Sequence, residues 1–180
     1  MSETDENLML AVRNGEIAKL GMLFDRHHRA LFDFFARMTG SRTAADDLVQ
    51  DVFFRMLRYR DTFRKDSRFK AWMFHIARNA RFDHFKKRQA ETPLPEDGMH
   101  ALPSRSPFPG QELEQEQQTL LLECALLKLT EEKREVLVLS RYQDMKYEQI
   151  AALLDCEVST VKVRVFRAIR ELRDIYFTLT

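Results

Sequence analysis

Residues 147–173 read YEQIAALLDCEVSTVKVRVFRAIRELR, and the spacing of their apolar side chains decides how the C-terminal part of the chain folds. Ile150, Ala151 and Leu154 fall on one side of a first short helix, Asp155 to Val158 supply a turn, and Ser159 is placed to cap a second helix. That helix is expected to bury Val158, Val161, Val165, Ala168 and Leu172 while Lys162, Arg164, Arg167 and Arg170 stay free. Two helices meeting across a short turn, the second amphipathic and basic, describe a helix-turn-helix. Its second member can lie in a major groove with its N-terminal residues against base edges. Basic amphipathic helices also occur on ordinary solvated surfaces. The turn spacing and the cap favour the DNA reading.

Outward from this stretch the periodicity stays helical, and nothing alternates with period two for long enough to suggest a sheet. Upstream, Leu120, Cys124 and Leu127 predict one helix face. Thr130 predicts the cap of the next helix, with Glu131 and Glu132 in its first turn and Val136 and Leu139 on its core side. Residues 91–112 hold all five prolines of the chain and read as a flexible linker. Before it, Leu20, Leu23, Phe24, Leu31, Phe34 and Met38 trace an apolar stripe that Gly40 is placed to end. Thr43 with Asp46 fits a capping box for a second helix that turns Ala45, Leu48, Val49, Val52, Phe53 and Met56 inward. A third begins near Phe69 with Trp72, Met73, Ile76 and Ala80 on its buried side. The expectation is an all-α chain of two small helical domains, 1–90 and 113–180, joined by the linker.

Composition narrows the function. The 180 residues, 44% hydrophobic and 32% charged, suffice for one ordinary domain or two small ones. No apolar run approaches the ~18 residues of a membrane span, and MSETDENLML lacks the basic-then-apolar order of a signal peptide, so a cytoplasmic protein without membrane insertion is expected. The two cysteines, Cys124 and Cys156, form no CxxC pair and read as buried or inert thiols. Of the five histidines only His27 and His28 are adjacent, and on a helix they point apart, so no metal site is expected. No Gly-rich phosphate loop and no nucleophile with a base are visible, so neither an enzyme nor a cofactor is indicated.

The net charge of +1 hides a segregation. Residues 55–88 carry 12 Lys or Arg against three Asp, residues 91–123 carry seven acids against Arg105, and residues 159–173 carry five bases against Glu171. Solvated helix faces mix their signs, so two basic blocks of this purity favour a polyanion partner.

The stretch YEQIAALLDCEVSTVKVRVFRAIREL closely resembles the promoter-reading domain of the extracytoplasmic-function (ECF) sigma factors of bacterial RNA polymerase. DLVQDVFFRM (residues 47–56) resembles that family's polymerase-docking helix, and DTFRKDSRFKAWMFHIARNARFDHFKKR (residues 61–88) resembles its strand-opening segment. The three matches stand in the family's order, with a linker between them. The family turn often carries Gly where this chain has Asp155, a residue that tolerates a left-handed backbone better than most.

The resemblance assigns roles residue by residue. Asp47, Gln50 and Asp51 would grip the coiled coil of the largest polymerase subunit, beside an exposed Phe54; the plain alternative is a solvated face. In the strand-opening segment, bases such as Arg64, Lys65, Lys86 and Lys87 can track phosphates while aromatic faces stack unpaired bases. Most of its aromatics must still be core. The resemblance implies Phe63 and Asn79 as walls of a pocket for a flipped base of the minus-10 element, with Trp72 near the junction of duplex and melted DNA. Asn79 also reads as an ordinary polar helix residue. For the minus-35 element the family places contacts along the recognition helix, here Ser159, Lys162, Val163, Arg164, Phe166, Arg167 and Arg170. Arg167 is the best candidate for bidentate reading of a guanine.

The linker would thread the polymerase cleft, although plain tethering remains the simpler reading. Its 22 residues span at most roughly 70 to 80 Å. The implied partners are core RNA polymerase, promoter DNA as duplex and as melted strand, and an anti-sigma factor. No long extension follows the second domain, so an appended sensor module is not expected. The rival reading is a helix-turn-helix regulator that binds operator DNA without polymerase.

Overall fold

The computed structural model describes residues 3–91 and 111–179, except for the side chains of 89, 91 and 111–116. Among the described residues the secondary structure is entirely helical, in eight α-helices. They form two compact units, one of residues 1–35 and 42–98, the other of 36–41 and 99–180. The predicted linker, 91–112, lies almost wholly outside the described residues; at its edges Glu91 closes one helix and Gln111 opens the next.

The first unit contains α1 (Asp5–Arg13), α2 (Lys19–Thr39) up to Phe35, α3 (Arg42–Arg58) and α4 (Phe69–Glu91). The sequence reading missed α1. Thr4 caps it by accepting from the Asn7 N–H at 3.3 Å, and Gly15, at φ +106°, ends it while the Glu16 N–H reaches back to the Ala11 carbonyl at 2.9 Å. Leu8, Met9 and Val12 are fully buried. Nine residues are fewer than the ~12 to 15 that an isolated helix needs in water, so this packing is what holds α1 helical.

Gly40 ends α2 as its spacing predicts, with a left-handed φ of +69° and its N–H on the Ala36 carbonyl. Of the stripe along α2, Leu23, Leu31, Phe34 and Met38 are buried, Leu20 is half-buried, and Phe24 lies at the surface stacked on His28. Phe35, outside that stripe, is buried as well. The capping box at Thr43 is corrected. α3 begins at Arg42, so the boundary residue is Ser41 and Thr43 lies inside the first turn. Only Gly40 and Ser41 separate the two helices, and the nearby hydroxyl residues Ser41 and Thr43 look alike in sequence. All six predicted core residues of α3 are buried, and so are Phe69, Met73, Ile76 and Ala80 of α4. Trp72 is only half-buried. Phe34 meets Phe74 edge to face at 5.2 Å in the middle of this core.

The second unit contains α5 (Gln111–Lys128), α6 (Glu131–Leu137), α7 (Tyr147–Leu153) and α8 (Val158–Leu179), with a wider π turn over Val138–Tyr142. The face predicted for α5 is corrected. Leu120 and Cys124 are exposed and Leu127 half-buried, whereas Ala125, Leu126 and Leu129 are buried. In LLLECALL the leucines are dense enough for two helical phases to look equally apolar, and packing against α8 selects one. Thr130 is the boundary residue of α6 as expected, but its side chain makes no capping hydrogen bond. Arg134 donates from α6 to the Leu126 carbonyl, in the last turn of α5, and to the Leu129 carbonyl just beyond it. Lys133 pairs with Glu171, tying α6 to α8.

Candidate nucleic-acid interface

The helix-turn-helix is present, with a turn one residue earlier than its sequence suggests. α7 stops at Leu153, and Asp155 takes the left-handed backbone at φ 50° that lets the Cys156 N–H reach the Ala151 carbonyl at 3.0 Å. α8 therefore starts at Val158, with Glu157 at its boundary, and the Val161 N–H already bonds to the Glu157 carbonyl. The cap assigned to Ser159 is corrected: this residue sits inside the first turn, exposed, and its hydroxyl donates to the Glu157 carboxylate at 3.1 Å. At the start of α7 the Gln149 side chain accepts from the Lys146 N–H at 3.0 Å.

The faces of α8 separate cleanly. Val161, Val165 and Ala168 are buried against the unit, while Val158 and Leu172 are half-buried at its margins. Opposite them Ser159, Lys162, Val163, Phe166, Arg167 and Arg170 are exposed, Phe166 by 62%. Arg164 is half-buried at the edge of this arc rather than free. The Arg170 guanidinium lies 6.0 Å from the Phe166 ring centroid, one helical turn away. The surface is a basic ridge with two apolar side chains at its crest, suited to phosphate oxygens and to apolar base edges together. On the short helix Ile150 and Ala151 are buried as expected; Leu153 is buried too, while Leu154 is only half-buried.

In the first unit α4 and the loop before it form a second basic and aromatic surface. Arg64, Lys65, Asn79, Lys86 and Lys87 are exposed. Phe63 departs from its expected place. It is fully buried, with its ring edge-on to Trp72 at 5.2 Å and to Phe69 at 6.3 Å, so it offers no face to a base. A short 3-10 turn, Arg60–Thr62, brings it there, and the apolar gain of burying a phenyl ring outweighs its exposure beside charged neighbours. The aromatic side chain that does stand beside Asn79 is Phe82, 67% exposed and three residues further along the same helix face. Trp72, Asn79, Phe82 and Lys86 follow one another at three-, four- and seven-residue steps on that face. The spacing from Asn79 carried this signal in the sequence. Trp72 is held by its Nε1–H, which donates to the Thr62 hydroxyl at 3.3 Å, and that hydroxyl donates to the Tyr59 carbonyl at 2.7 Å.

On the outer side of α3, Asp47 and Gln50 are exposed and Phe54 is 65% exposed. Asp51 is more engaged than its neighbours. It accepts from Arg55 Nε at 2.9 Å, and Arg55 Nη1 also reaches Asp83 of α4 at 2.7 Å. Partial burial works against the Arg55 charge, but hydrogen bonds to Asp51 and Asp83 outweigh it and hold the guanidinium's pKa above its ordinary value.

A helix-turn-helix with a basic ridge, on a chain whose other unit carries a second basic and aromatic face, has the make-up of a DNA-binding protein. Residues 23–91 match the family described as Sigma-70 region 2, and residues 119–172 match Sigma-70, region 4. The chain is 35% identical over 144 residues to the ECF RNA polymerase sigma factor EcfG of Rhodopseudomonas palustris, covering 80% of this chain and 77% of that one. It is 29% identical over 178 residues to the ECF RNA polymerase sigma-E factor of Escherichia coli K12, covering 93% of each. Among solved structures it is similar to CnrH in complex with the cytosolic domain of CnrY, with a TM-score of 0.73, 28% identity, and 98% and 99% of the two chains covered. It is also similar to the sigma factor RpoE bound to the anti-sigma factor NepR from Bartonella quintana, with a TM-score of 0.70, 26% identity, and 86% and 94% covered. The chain belongs to the ECF sigma factors. It is a polymerase-binding initiation factor and not an enzyme. Among the described residues no helix is long and apolar enough to cross a membrane.

Proposed function

We propose that the two units divide the work of promoter recognition. Residues 1–90 dock on core RNA polymerase and open the minus-10 element, residues 91–112 tether, and residues 113–180 read the minus-35 element. The observation that carries this reading is the separation of faces on α8, whose buried valines hold a ridge of Lys162, Val163, Phe166, Arg167 and Arg170 toward solvent. Lys162 and Arg170 contact phosphates, Ser159 and Arg164 flank them, and Arg167 reads a base edge. In the first unit, Trp72, Asn79 and Phe82 receive melted bases, while Arg64, Lys65, Lys86 and Lys87 follow the strand. Asp47, Gln50, Asp51 and Phe54 dock the polymerase, with charge complementarity setting orientation and on-rate. Its setting is the cytoplasm, and its regulatory partner is an anti-sigma factor, as NepR is for the similar RpoE of Bartonella quintana.

The test is binding and run-off transcription with purified core polymerase on a promoter library. Selective initiation that requires both components, and that fails on charge reversal Asp51→Arg, is the expected result. Tight, selective duplex binding by the chain alone, unchanged by polymerase, would instead identify an operator-binding regulator.

A further inference from the structure

We propose that α1 is a positioning element for the strand-opening loop, residues 59–68, and that Arg13 is its principal contact. This rests on the reading of that loop and Trp72 as a DNA surface. α1 precedes the region matched by the sigma family and carries none of the candidate DNA contacts, yet it holds the loop at both ends. At the first end, Arg13 Nη1 donates to the Phe63 carbonyl at 2.8 Å. At the second, a Glu6 carboxylate oxygen accepts from the Phe69 N–H at 3.2 Å. Phe69 is the first residue of α4, so its N–H has no partner within the helix, and a carboxylate there also meets the positive end of the helix dipole.

The two anchors bracket the exposed charges of the loop. Between Phe63 and Phe69 lie Arg64, Lys65, Asp66 and Arg68, all exposed. Inside the loop the structure shows a single backbone bond across this stretch, from the Ser67 N–H to the Arg64 carbonyl at 3.0 Å. Excess positive charge on so short a segment repels itself, and the contacts from α1 oppose that spreading. Leu8, Met9 and Val12, fully buried, fix the helix from which both anchors project.

The consequence reaches Trp72. The residue bonded by Arg13 directly follows Thr62, whose hydroxyl receives the indole N–H, and the Phe63 ring braces the indole edge. Moving the Phe63 carbonyl therefore shifts both restraints on Trp72 together. Arg13 touches no promoter base in this account; it sets where the loop presents its aromatic and basic groups.

The experiment uses the full chain with core polymerase. Arg13→Ala, Arg13→Lys and Glu6→Gln are compared for core affinity, for opening rate at the minus-10 element, and for amide hydrogen exchange across residues 62–69. Arg13→Ala is expected to bind core within a factor of about two and to open promoters about tenfold more slowly, the equivalent of one charge-assisted hydrogen bond. Exchange in the loop should quicken while helices α2 and α3 stay protected. Arg13→Lys should restore most of the loss, because an ammonium also donates to a carbonyl. Wild-type opening with wild-type loop exchange in Arg13→Ala would overturn the proposal, and so would loss of protection throughout the unit, which would make Arg13 a folding residue. The double variant Arg64→Ala, Lys65→Ala tests the underlying reading: if it opens promoters normally, the loop is not a DNA surface, whereas the exchange measurement still judges the role of α1.

Discussion

The Arg55 guanidinium spans the α3–α4 interface to Asp83 at 2.7 Å while the same side chain holds Asp51, on its own helix, at 2.9 Å. One cation thus links the proposed docking face to the helix that carries the proposed DNA-facing stripe. The Arg55 side chain is 21% exposed, Asp51 39% and Asp83 57%, so solvent screens the outer bond more than the inner one.

Removing the outer carboxylate is therefore mild. Asp83→Asn is expected to cost at most about 1 kcal/mol, a shift of a few degrees in the melting midpoint for a domain of this size. Arg55→Ala should cost more and should also weaken core binding, because Asp51 loses the group that orients it. Thermal melting followed by circular dichroism and polymerase-binding titration check the two effects. Equal core affinity in both variants would show that Asp51 needs no orientation by Arg55.

Neighbouring residues on α8 should respond in opposite ways. Val165 is buried and Phe166 is 62% exposed. Val165→Ala removes core volume and is expected to lower stability by about 1 to 2 kcal/mol with promoter preference retained. Phe166→Ala should leave stability within about 0.5 kcal/mol and weaken minus-35 binding. Urea denaturation and binding by the polymerase complex to a minus-35 duplex separate the outcomes.

Base and phosphate contacts on the same ridge differ in salt dependence. Lys162→Ala should weaken binding on all sequences alike and reduce the slope of log affinity against log salt by about 1. Arg167→Ala should relax preference at one promoter position, with about 1 to 3 kcal/mol of discrimination lost there. A uniform loss over every sequence in the Arg167 variant would reassign that residue to the backbone.

The turn of the helix-turn-helix rests on the left-handed backbone at Asp155. Asp155→Gly is expected to leave stability unchanged or slightly raised, because glycine adopts this conformation without a Cβ clash. Asp155→Val, branched at Cβ, should cost about 1 to 2 kcal/mol and disturb the angle between α7 and α8. Melting midpoints and minus-35 affinity measured together would register both changes.

The sequence by itself determined the all-helical class, the cores of α3 and α4, the stop at Gly40 and the exposed ridge of α8, because 3.6-residue periodicity assigns buried and free faces wherever apolar residues are sparse enough to have one phase. The outer residues of α3 were legible for the same reason, whereas Asn79 was singled out only by the family resemblance. Tertiary structure decided what periodicity leaves degenerate. Among the crowded leucines of α5, only packing against other helices picks Ala125 and Leu126 over Leu120 and Cys124. It also decided the fate of Phe63, since an aromatic residue in a loop has no helical phase, and a 3-10 turn buries its ring against Trp72 and Phe69. The bonds of Arg13 to Phe63, of Glu6 to Phe69 and of Arg55 to Asp83 join residues 28 to 63 positions apart, and distances of that kind are fixed by how helices pack, not by any local pattern of side chains.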